Sequence, residues 1–518
     1  MSNFRSWFNQ KSEEGKEQFL GEYPRLLLEG EKPEDLKQLC KLLSDYDFIH
    51  TKINHPLFGV QALIEDYDLL PHPTLTKIQG ALRLSAHLIN QDSQQLAAQL
   101  SGRLRHFHEP EINNLLQTIA TDPGLHCLTP SLTPPGSALI RTLTGHSYSV
   151  NAIALTLDGK TVISASRDET IKIWDLATGG EKFTLTGHSN WVNAIAVTPD
   201  GKTVISASRD ETIKIWDVVT GAQKFTLTGH SNWVNAIAVT PDGKTVISAS
   251  RDKTIKIWDV VTGAQKFTLT GHSEWVNAIA VTLDGKTVIS GSRDKTIKIW
   301  DVVTGAQKFT LTGHSEWVNA IAVTPDGKTV ISASRDETIK IWDLATGGEK
   351  FTLTGHSNWV NAIAVTPDGK TVISASRDET IKIWDLATGG EKFTLTGHSN
   401  WVNAIAVTPD GKTVISASRD ETIKIWDVVT GAEKFTLTGH SNSVNAIALT
   451  PDGKTVISGS DDKTIKIWDV VTGAEIATFT GEYSITCCGV AADGVTIVAG
   501  ESSGRLHSLR FQEKVTDE

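Results

Sequence analysis

The stretch that decides the fold runs from Gly187 to Thr228 and reads GHSNWVNAIAVTPDGKTVISASRDETIKIWDVVTGAQKFTLT. Its opening dipeptide Gly-His recurs with a constant step of 42 residues, at Gly145, Gly187, Gly229, Gly271, Gly313, Gly355, Gly397 and Gly439. The dipeptide Trp-Asp keeps the same step, at Trp174, Trp216, Trp258, Trp300, Trp342, Trp384, Trp426 and Trp468. A fixed period of this length is typical of repeat proteins, whose copies stack on one another, rather than of independent domains.

Each copy has the pattern of four short β-strands. Two of them flank the turn Pro199-Asp200-Gly201-Lys202, where glycine can take a positive φ angle. In the second copy the predicted strands are Val192 to Val197, Thr203 to Ser208, Thr212 to Trp216 and Lys224 to Thr228. One such sheet cannot bury both of its faces, so the copies are expected to pack as blades around a central axis. We therefore predict a mainly β chain with propeller architecture.

The motifs within one copy resemble those of the WD40 repeat family. Gly-His, Pro-Asp-Gly, Ser-x-Ser-x-Asp and Trp-Asp follow one another in this order, and the repeat region spans residues 138–511. The resemblance implies a β-propeller in which a histidine, a serine, an aspartate and a tryptophan of each blade form a hydrogen-bonded tetrad. In the second copy it assigns these structural roles to His188, Ser206 (or Ser208), Asp210 and Trp216.

The two ends of the repeat region are each incomplete. Eight copies are complete, and a ninth, divergent copy from Gly481 to Leu509 lacks a fourth strand. The segment from Leu139 to Thr144 resembles a fourth strand but has no blade before it. This N-terminal strand is therefore expected to complete blade nine, which closes the ring and removes two exposed sheet edges. A ring of seven or eight blades with the spare copies displaced is the alternative.

Trp191, Asn193 and Arg209 are candidates for binding a partner protein. Strand alternation places Trp191 and Asn193 on one face, and the WD40 resemblance implies that they line the upper side with Arg209. Six blades carry both large residue types, namely Trp191, Trp233, Trp275, Trp317, Trp359 and Trp401 with Arg209, Arg251, Arg293, Arg335, Arg377 and Arg419. Both types are enriched in binding hot spots, so we predict an arc of six pairs with a gap at blades eight, nine and one. In the alternative, each tryptophan only packs against the next blade or stacks on its own arginine.

Several patterns invite a catalytic interpretation that the sequence does not support. Histidines and aspartates that recur identically in eight copies are expected to be structural, not metal ligands or acid–base pairs. The run Gly201-Lys202-Thr203 resembles the end of a phosphate-binding loop, but Ala196 stands where its first glycine belongs. The remaining candidates are His126 with Cys127 beside a linker, and Cys487 with Cys488 on an inner strand. We predict a protein that is not an enzyme and uses no cofactor or metal.

Residues 1–127 lack the repeat and are predicted to form a small all-α domain. Apolar residues follow single helical faces, the first at Leu36, Leu39, Cys40 and Leu43, the second at Leu75, Ile78, Leu82 and Ile89, and the third at Ile112, Leu115, Leu116 and Ile119 after Pro110. A proline-rich linker is expected at 128–137, the propeller at 138–511 and a short tail at 512–518.

Three strings in this part carry a second resemblance: ALIEDYDLL (62–70), IQGALRLSAHLI (78–89) and LTPSLTPPG (128–136). They are similar to the helical region that joins a nucleotide-binding module to WD repeats in bacterial relatives of apoptotic protease-activating factor (NB-ARC, or STAND, type). The resemblance implies a sensor or regulatory role. No Walker A motif and no Walker B strand precede the strings, so ATP hydrolysis does not carry over. The chain is expected to be the C-terminal portion of that architecture, as a natural short form or as a fragment.

Composition narrows the function classes. The formal net charge is −11, which disfavours a nucleic-acid-binding surface, and neither a membrane-spanning run nor a signal peptide is present in the sequence. Four cysteines in 518 residues are too few for a disulfide framework, so a cytoplasmic location is expected. We predict a non-catalytic scaffold or sensor that binds protein partners, with no nucleic-acid or membrane partner. A propeller that binds a glycan or a small ligand is the alternative.

Overall fold

The computed structural model describes residues 4–30, 32–121, 139–176 and 178–510. The chain divides into two compact units, Met1–Thr142 and Leu143–Glu518. The expected linker at 128–137, the tail at 512–518 and the pair His126 and Cys127 lie outside the described residues.

The first unit is helical, as the sequence predicts. In its described part, nine α-helices span Phe4–Asn9, Glu13–Gly21, Tyr23–Glu29, Pro33–Leu43, Tyr46–Ile53, Gly59–Asp66, Pro73–Gln91, Leu96–Leu104 and Pro110–Thr121, with short 3-10 turns at Tyr67–Leu69 and Ser93–Gln95. Three helices begin at a proline, whose fixed φ and missing N–H suit the first turn of a helix. The sequence placed such a start at Pro110, and the structure adds Pro33 and Pro73.

The apolar stripes of these helices meet in one core. Leu39, Leu75, Ile112 and Ile119 are fully buried there, which matches the faces predicted from helical spacing. A buried ion pair also crosses this core: Lys52 Nζ donates to Asp66 Oδ2 at 2.5 Å and to the Leu20 carbonyl at 2.6 Å. The ammonium thereby satisfies two buried acceptors from two other helices, which fixes their relative position.

The second unit is built from four-stranded antiparallel sheets. The structure describes nine of them in this part of the chain, and within each of the first eight the strand order follows the chain. The strands of blades one to eight are Val150–Leu155, Thr161–Ser166, Ile171–Asp175 and Glu181–Leu185; Val192–Val197, Thr203–Ser208, Ile213–Asp217 and Gln223–Leu227; Val234–Val239, Thr245–Ser250, Ile255–Asp259 and Gln265–Leu269; Val276–Val281, Thr287–Ser292, Ile297–Asp301 and Gln307–Leu311; Val318–Val323, Thr329–Ser334, Ile339–Asp343 and Glu349–Leu353; Val360–Val365, Thr371–Ser376, Ile381–Asp385 and Glu391–Leu395; Val402–Val407, Thr413–Ser418, Ile423–Asp427 and Glu433–Leu437; Val444–Leu449, Thr455–Ser460, Thr464–Asp469 and Glu475–Thr480.

Blade nine joins the two ends of the repeat region. Its first three strands are Ile485–Val490, Thr496–Glu501 and Leu506–Arg510, and its outermost strand is Leu139–Leu143. The inner strand of this blade contacts the inner strands of blades eight and one, so the ring is closed. The prediction of nine blades with N-terminal strand closure is confirmed, and the alternative of seven or eight blades is excluded.

Adjacent blades bury a repeated apolar interface. Between blades one and two, Ile163 and Ile173 of one sheet pack against Val192, Val204 and Trp216 of the next, and all five are nearly fully buried. Corresponding clusters recur around the ring, and the one at the closure contains Leu143 together with Val498 and Leu506. Because a sheet must bury both faces, each blade depends on both of its neighbours for stability.

Observed strand ends differ slightly from the predicted ones. The third and fourth strands of blade two are shifted by one residue, to Ile213–Asp217 and Gln223–Leu227, because the turns on either side take up the outer residues. In the part of the chain that the structure describes, no helix has the length and apolar character needed to cross a membrane.

Candidate interaction surface of the propeller

Antiparallel order sorts the turns of each blade to two sides of the ring. The turn between the second and third strands, and the connection into the blade from the preceding one, lie on one side, here called the upper face. The turns that follow the first and third strands lie on the opposite side, the lower face. In blade two Arg209 is on the upper face, whereas Gly201 and Val219 are on the lower face.

The tetrad residues of blade two come together beneath the upper face. His188 Nδ1 lies 2.7 Å from Asp210 Oδ2, and His188 Nε2 lies 2.8 Å from Ser206 Oγ. Trp216 Nε1 donates to the same serine oxygen at 2.9 Å. Ser206 rather than Ser208 therefore takes the tetrad position. Ser208 instead accepts from the Asp210 N–H at 3.0 Å and donates to the Asn190 carbonyl at 2.9 Å.

The electrostatics of this network favour an ionised aspartate. Burial opposes the charge of Asp210, but hydrogen bonds from His188 and Thr212 outweigh it and lower the pKa of that carboxyl far below its usual value. One proton arrangement satisfies every member: the indole N–H and the histidine Nδ1–H donate, and the serine O–H donates to histidine Nε2. In this arrangement the histidine is neutral, and the hydrogen bonds to the carboxylate offset its desolvation.

The chain Asp210–His188–Ser206 has the connectivity of a nucleophilic triad but not its accessibility. Ser206 is 0% exposed, and the indole N–H of Trp216 occupies a lone pair of its oxygen. A nucleophile must reach substrate, and this serine faces only protein. The same bonds recur in blades one to eight. The network therefore ties the connection between blades to the sheet and does no chemistry of its own.

Blade nine replaces the tetrad with a different pair. Ala499 and Leu509 occupy the serine and tryptophan positions, and the structure instead buries Glu501 against His507 at 2.8 Å between Oε1 and Nε2. Glu501 also accepts from the Glu482 N–H at 2.9 Å and from Ser503 Oγ at 2.7 Å. Sequence reasoning missed this pair because neither residue stands at a tetrad position.

The six predicted tryptophans and seven arginines form one continuous stack on the upper face. Arg209 lies 4.0 Å from the ring centroid of Trp191 and 4.1 Å from that of Trp233, and Arg251 lies 4.1 Å from Trp233 and 4.0 Å from Trp275. The alternation runs through Arg167, Trp191, Arg209, Trp233, Arg251, Trp275, Arg293, Trp317, Arg335, Trp359, Arg377, Trp401 and Arg419, which we call the Arg–Trp ladder. Each contact is worth about 0.5–2 kcal/mol.

The ladder covers both faces of every indole. The two guanidinium groups that flank one indole come from successive blades of the ring and alternate with the indoles around it, so they approach the indole from opposite sides. Each tryptophan thus stacks on the arginine of its own blade and on that of the preceding blade, so the stacking joins neighbouring blades. The tryptophans remain half-buried and present their edges to solvent.

The asparagine on the inner strand positions the ladder from below. A β-bulge after Val192 redirects the side chain of Asn193, whose Nδ2 donates to the Val234 carbonyl of the next blade at 3.2 Å. Its Oδ1 accepts from Arg209 Nε at 3.3 Å. Asn193 thus links two blades and holds an arginine in place. At the closure, Thr486 Oγ1 donates to the Val150 carbonyl at 2.9 Å in the same role.

Backbone hydrogen bonds identify the positions where the ladder is broken. In blade two the Arg209 N–H donates to the Trp191 carbonyl, and the corresponding bonds join Asp461 to Ser443 and Ser502 to Ser484. Blade one pairs Arg167 with Ser149 in the same way. Trp/Arg pairs are thus absent from blades eight, nine and one, whereas arginine is absent only from blades eight and nine, because Arg167 of blade one stacks on Trp191. Arg167 was missed because the pattern sought an arginine only where its own copy had a tryptophan.

The three cysteines that the structure describes, Cys40, Cys487 and Cys488, do not have the character of a reactive thiolate. Burial raises the pKa of the Cys487 thiol to about 11 and that of Cys488 to about 12, so both are protonated at neutral pH. In the helical unit, Cys40 and His72 line a cavity of about 560 Å³, with Sγ 3.8 Å from Nδ1. Burial also raises the pKa of the Cys40 thiol. Among the described residues, no cluster of three or more potential metal ligands is present.

Comparison with known proteins places the repeats in a family. The model "WD domain, G-beta repeat" matches residues 137–175, 179–217, 221–259, 263–301, 305–343, 347–385, 389–427 and 431–469, which is more than half of the chain. A solved structure, that of the computationally designed Ika8 protein, is 32% identical with a TM-score of 0.54 and covers 63% of this chain and 98% of its own.

Curated relatives match shorter segments. The mouse protein "NACHT domain- and WD repeat-containing protein 1" is 29% identical over 30% of this chain and 11% of its own length. The rice "Small ribosomal subunit protein RACK1y" is 38% identical over 13% of this chain and 19% of its own. "Vegetative incompatibility protein HET-E-1" of Podospora anserina is 51% identical over 8% and 3%. The matches thus span a fifth or less of these relatives. The eight family matches, together with the tetrads and the closed ring, show that this chain belongs to the WD40 repeat family.

Proposed function

We propose that the propeller is a non-catalytic protein-interaction scaffold whose upper face docks partner proteins. The observation that supports this most strongly is the Arg–Trp ladder, which spans seven blades with side chains of the types that dominate binding hot spots. Stacking on both sides of each indole and asparagine bonds to Arg167, Arg209, Arg293 and Arg335 hold the ladder in place, so a partner meets an ordered surface and little ordering entropy is lost on binding.

The proposal also covers the kind of signalling system in which the protein acts. The mouse relative combines a NACHT domain with WD repeats in its name, and a fungal relative is named for vegetative incompatibility. Together with the helical strings at 62–70 and 78–89, these names support a regulatory role in a STAND-type signalling system. Under this proposal the protein is cytoplasmic, binds no nucleic acid or membrane, and uses no cofactor.

Glycan binding is less well supported than protein binding. Sugar recognition by aromatic residues needs an open ring face, and both faces of each ladder indole carry a guanidinium group. The tryptophan edges alone offer little area for stacking on a pyranose ring.

Affinity capture from native lysate tests the scaffold proposal. The bait is the full chain, compared with a variant in which the six ladder tryptophans are changed to alanine. A matched control changes three exposed lower-face valines, Val219, Val261 and Val303, to serine. Circular dichroism and thermal unfolding verify that all three fold. We expect specific partners to be lost from the tryptophan variant and kept by the control. If all three proteins recovered the same partners equally, the upper face would not be the surface that docks them.

A further inference from the structure

The Arg–Trp ladder concentrates positive charge on a protein whose net charge is −11. Within the described residues, no carboxylate oxygen comes within the 4.0 Å ion-pair distance of any of its seven arginines. Burial lowers the pKa of Arg251, and the positive charges of Arg293 and Arg209 lower it further. The guanidinium groups thus repel one another, and the nearby carboxylates of Glu274 and Glu316 offset part of this repulsion at Arg293 and Arg335 without forming ion pairs with them.

The hydrogen-bonding groups of these arginines remain available. Nε is bonded to an asparagine of the same blade in Arg167, Arg209, Arg293 and Arg335, and it is buried without a partner in Arg251 and Arg377, so the terminal Nη groups are the ones left for a ligand. No Nη atom of the ladder has an acceptor in the described residues, and none is buried. An open, planar pair of N–H donors is the arrangement that binds a carboxylate through two parallel hydrogen bonds.

The spacing of the arginines is set by the stacking. Arg209 and Arg251 each lie 4.1 Å from the ring centroid of Trp233, on opposite faces, so their guanidinium carbons are about 8 Å apart. In an extended peptide, alternate residues on one face are roughly 6.6–6.8 Å apart, and curvature along an arc widens the spacing on its outer side. The two spacings differ by about 1.5 Å per step, which flexible glutamate side chains can take up over a few neighbouring arginines, so the ladder suits an extended partner with one acidic residue at every second position.

We propose that the Arg–Trp ladder binds an extended acidic segment of a partner protein, in which carboxylates at alternate residues each face one arginine. This inference rests on the proposed scaffold function and specifies the chemistry of the partner. Each carboxylate accepts from the Nη groups of one arginine, and the intervening side chains point away from the ladder. The segment supplies the negative charge that the ladder lacks.

A nucleic acid fits the same surface less well. Single-stranded nucleic acids bind through bases that stack on open aromatic faces, and here arginines occupy those faces. Exposed glutamates also follow the arginines by two residues in five blades, at Glu169, Glu211, Glu337, Glu379 and Glu421. A nucleic acid carries a phosphate charge on every nucleotide, so some phosphates would lie close to these glutamates. A peptide with neutral residues at alternate positions can place its carboxylates at the arginines and its neutral side chains near the glutamates.

Fluorescence anisotropy with defined probes tests the proposal on the full chain. The probe is a labelled peptide of seven glutamates alternating with serines. The comparison probes are a peptide of the same composition with its glutamates in one block, and a single-stranded oligothymidine with the same number of charges. We expect the alternating peptide to bind at least about tenfold more tightly than either, with an affinity that falls as salt is added.

Matched variants locate the binding. Changing Arg251, Arg293 and Arg335 to glutamine should weaken binding of the alternating peptide by about tenfold or more. A control that changes the exposed lower-face residues Lys202, Lys244 and Lys286 to glutamine removes the same charge and should leave binding unchanged. Thermal unfolding of both variants verifies the fold.

A gain-of-binding variant keeps the test independent of damage to the ladder. Ser443→Trp combined with Asp461→Arg extends the ladder into blade eight and should tighten binding of an eight-glutamate alternating peptide by about threefold. Asp461→Asn alone removes the local negative charge without adding a stacking pair and should give a smaller gain.

The outcomes separate this inference from the scaffold proposal. Equal binding of the block and alternating peptides, tighter binding of the oligonucleotide, or no effect of the arginine changes each overturns the acidic-segment inference. If lysate partners are nevertheless lost from the tryptophan variant, the scaffold function stands with a partner of other chemistry. If neither peptide nor lysate partners depend on the upper face, both proposals fail.

Discussion

Blades two to seven and the arc formed by blades eight, nine and one share one backbone frame but differ in their upper-face side chains. In the first group every blade repeats the tryptophan and arginine of the ladder, and in the second these positions hold Ser443 with Asp461, Ser484 with Ser502, and Ser149 with Arg167. The buried interfaces between blades persist around the whole ring. The difference teaches that packing specifies the ring, whereas the surface chemistry is free to change where the two ends meet.

The largest expected effect is acid unfolding of the tetrad-bearing blades. In blades one to eight the pKa of the tetrad aspartate is lowered in the folded state, despite burial, by hydrogen bonds from its partners. Below the unfolded pKa of about 3.9 the unfolded chain binds more protons, so stability is present above that pH and is lost as pH falls through the folded pKa. Each aspartate contributes on the order of 2 kcal/mol. Urea unfolding followed by far-ultraviolet circular dichroism from pH 7 to below about pH 3 should show a steep fall. A flat profile would contradict the assignment.

Breaking the closure should produce the next largest effect. Leu143 is 2% exposed and packs with Val150, Val498 and Leu506 at the junction of blades nine and one. Leu143→Asp buries an unpaired charge and should cost about 4 kcal/mol.

Leu227→Asp, at the equivalent position of blade two, is the control for an interior junction. Both variants should lose similar stability in urea, but only the closure variant should release the outer strand and increase the hydrodynamic radius on size-exclusion chromatography. An unchanged radius would mean that the ring does not depend on this strand.

A single tetrad should matter less than the closure. Asp210→Ala leaves the Nδ1–H of His188 and the Ser189 N–H without their acceptor. Leaving the buried histidine donor unsatisfied, together with losing the two bonds from Thr212, should cost about 3 kcal/mol in denaturant unfolding. Asp461→Ala removes a half-exposed aspartate of blade eight that accepts one bond, from Asn445 Nδ2 at 2.7 Å, and should cost no more than about 1 kcal/mol. If the two variants lost similar stability, the buried tetrad would be no more important for stability than the upper-face position of blade eight.

The smallest expected change in stability comes from a lysine on the third strand, which faces glutamine in some blades and glutamate in others. Lys214 in blade two donates to Thr226 but faces a glutamine, Gln223, at a position where blades one and five to eight have glutamate. Burial lowers the pKa of Lys214, whereas in blade six Lys382 lies 2.9 Å from Glu391.

Gln223→Glu should therefore stabilise the protein by about 0.5–1 kcal/mol, because the new pair is only partly exposed. The reverse change, Glu391→Gln, should cost a similar amount. Thermal unfolding measures both, and shifts of the same sign would show that the lysine gains nothing from the carboxylate.

The sequence predicted the fold well because its signals are local and repeated. The 42-residue step, the turn around Gly201 and the orphan strand from Leu139 are each visible in a single copy or by counting copies. The buried pairing of Trp216 with Ser206 followed from the family resemblance, although the choice between Ser206 and Ser208 required coordinates.

The features that escaped prediction depend on distances between copies. Strand periodicity places Trp191 and Arg209 on one side but does not show that Arg209 reaches Trp233 of the next blade. That distance is set by how far neighbouring sheets stand apart. Glu501 and His507 escaped for another reason: the divergent copy moved its buried polar pair to positions that no other copy uses for this purpose. A search for carboxylate and histidine on adjacent strands would have found it.

The outermost strand of blade nine comes from the opposite end of the repeat region, so the number of blades in the ring can change in evolution. The closing strand pairs with the last copy of the repeat region whatever the number of copies between the two ends. Recombination between near-identical copies that adds or removes one 42-residue segment leaves the clasp and every type of junction intact. Only the angle between neighbouring blades must change. Unequal recombination can therefore change the number of blades without altering the side chains of any single blade.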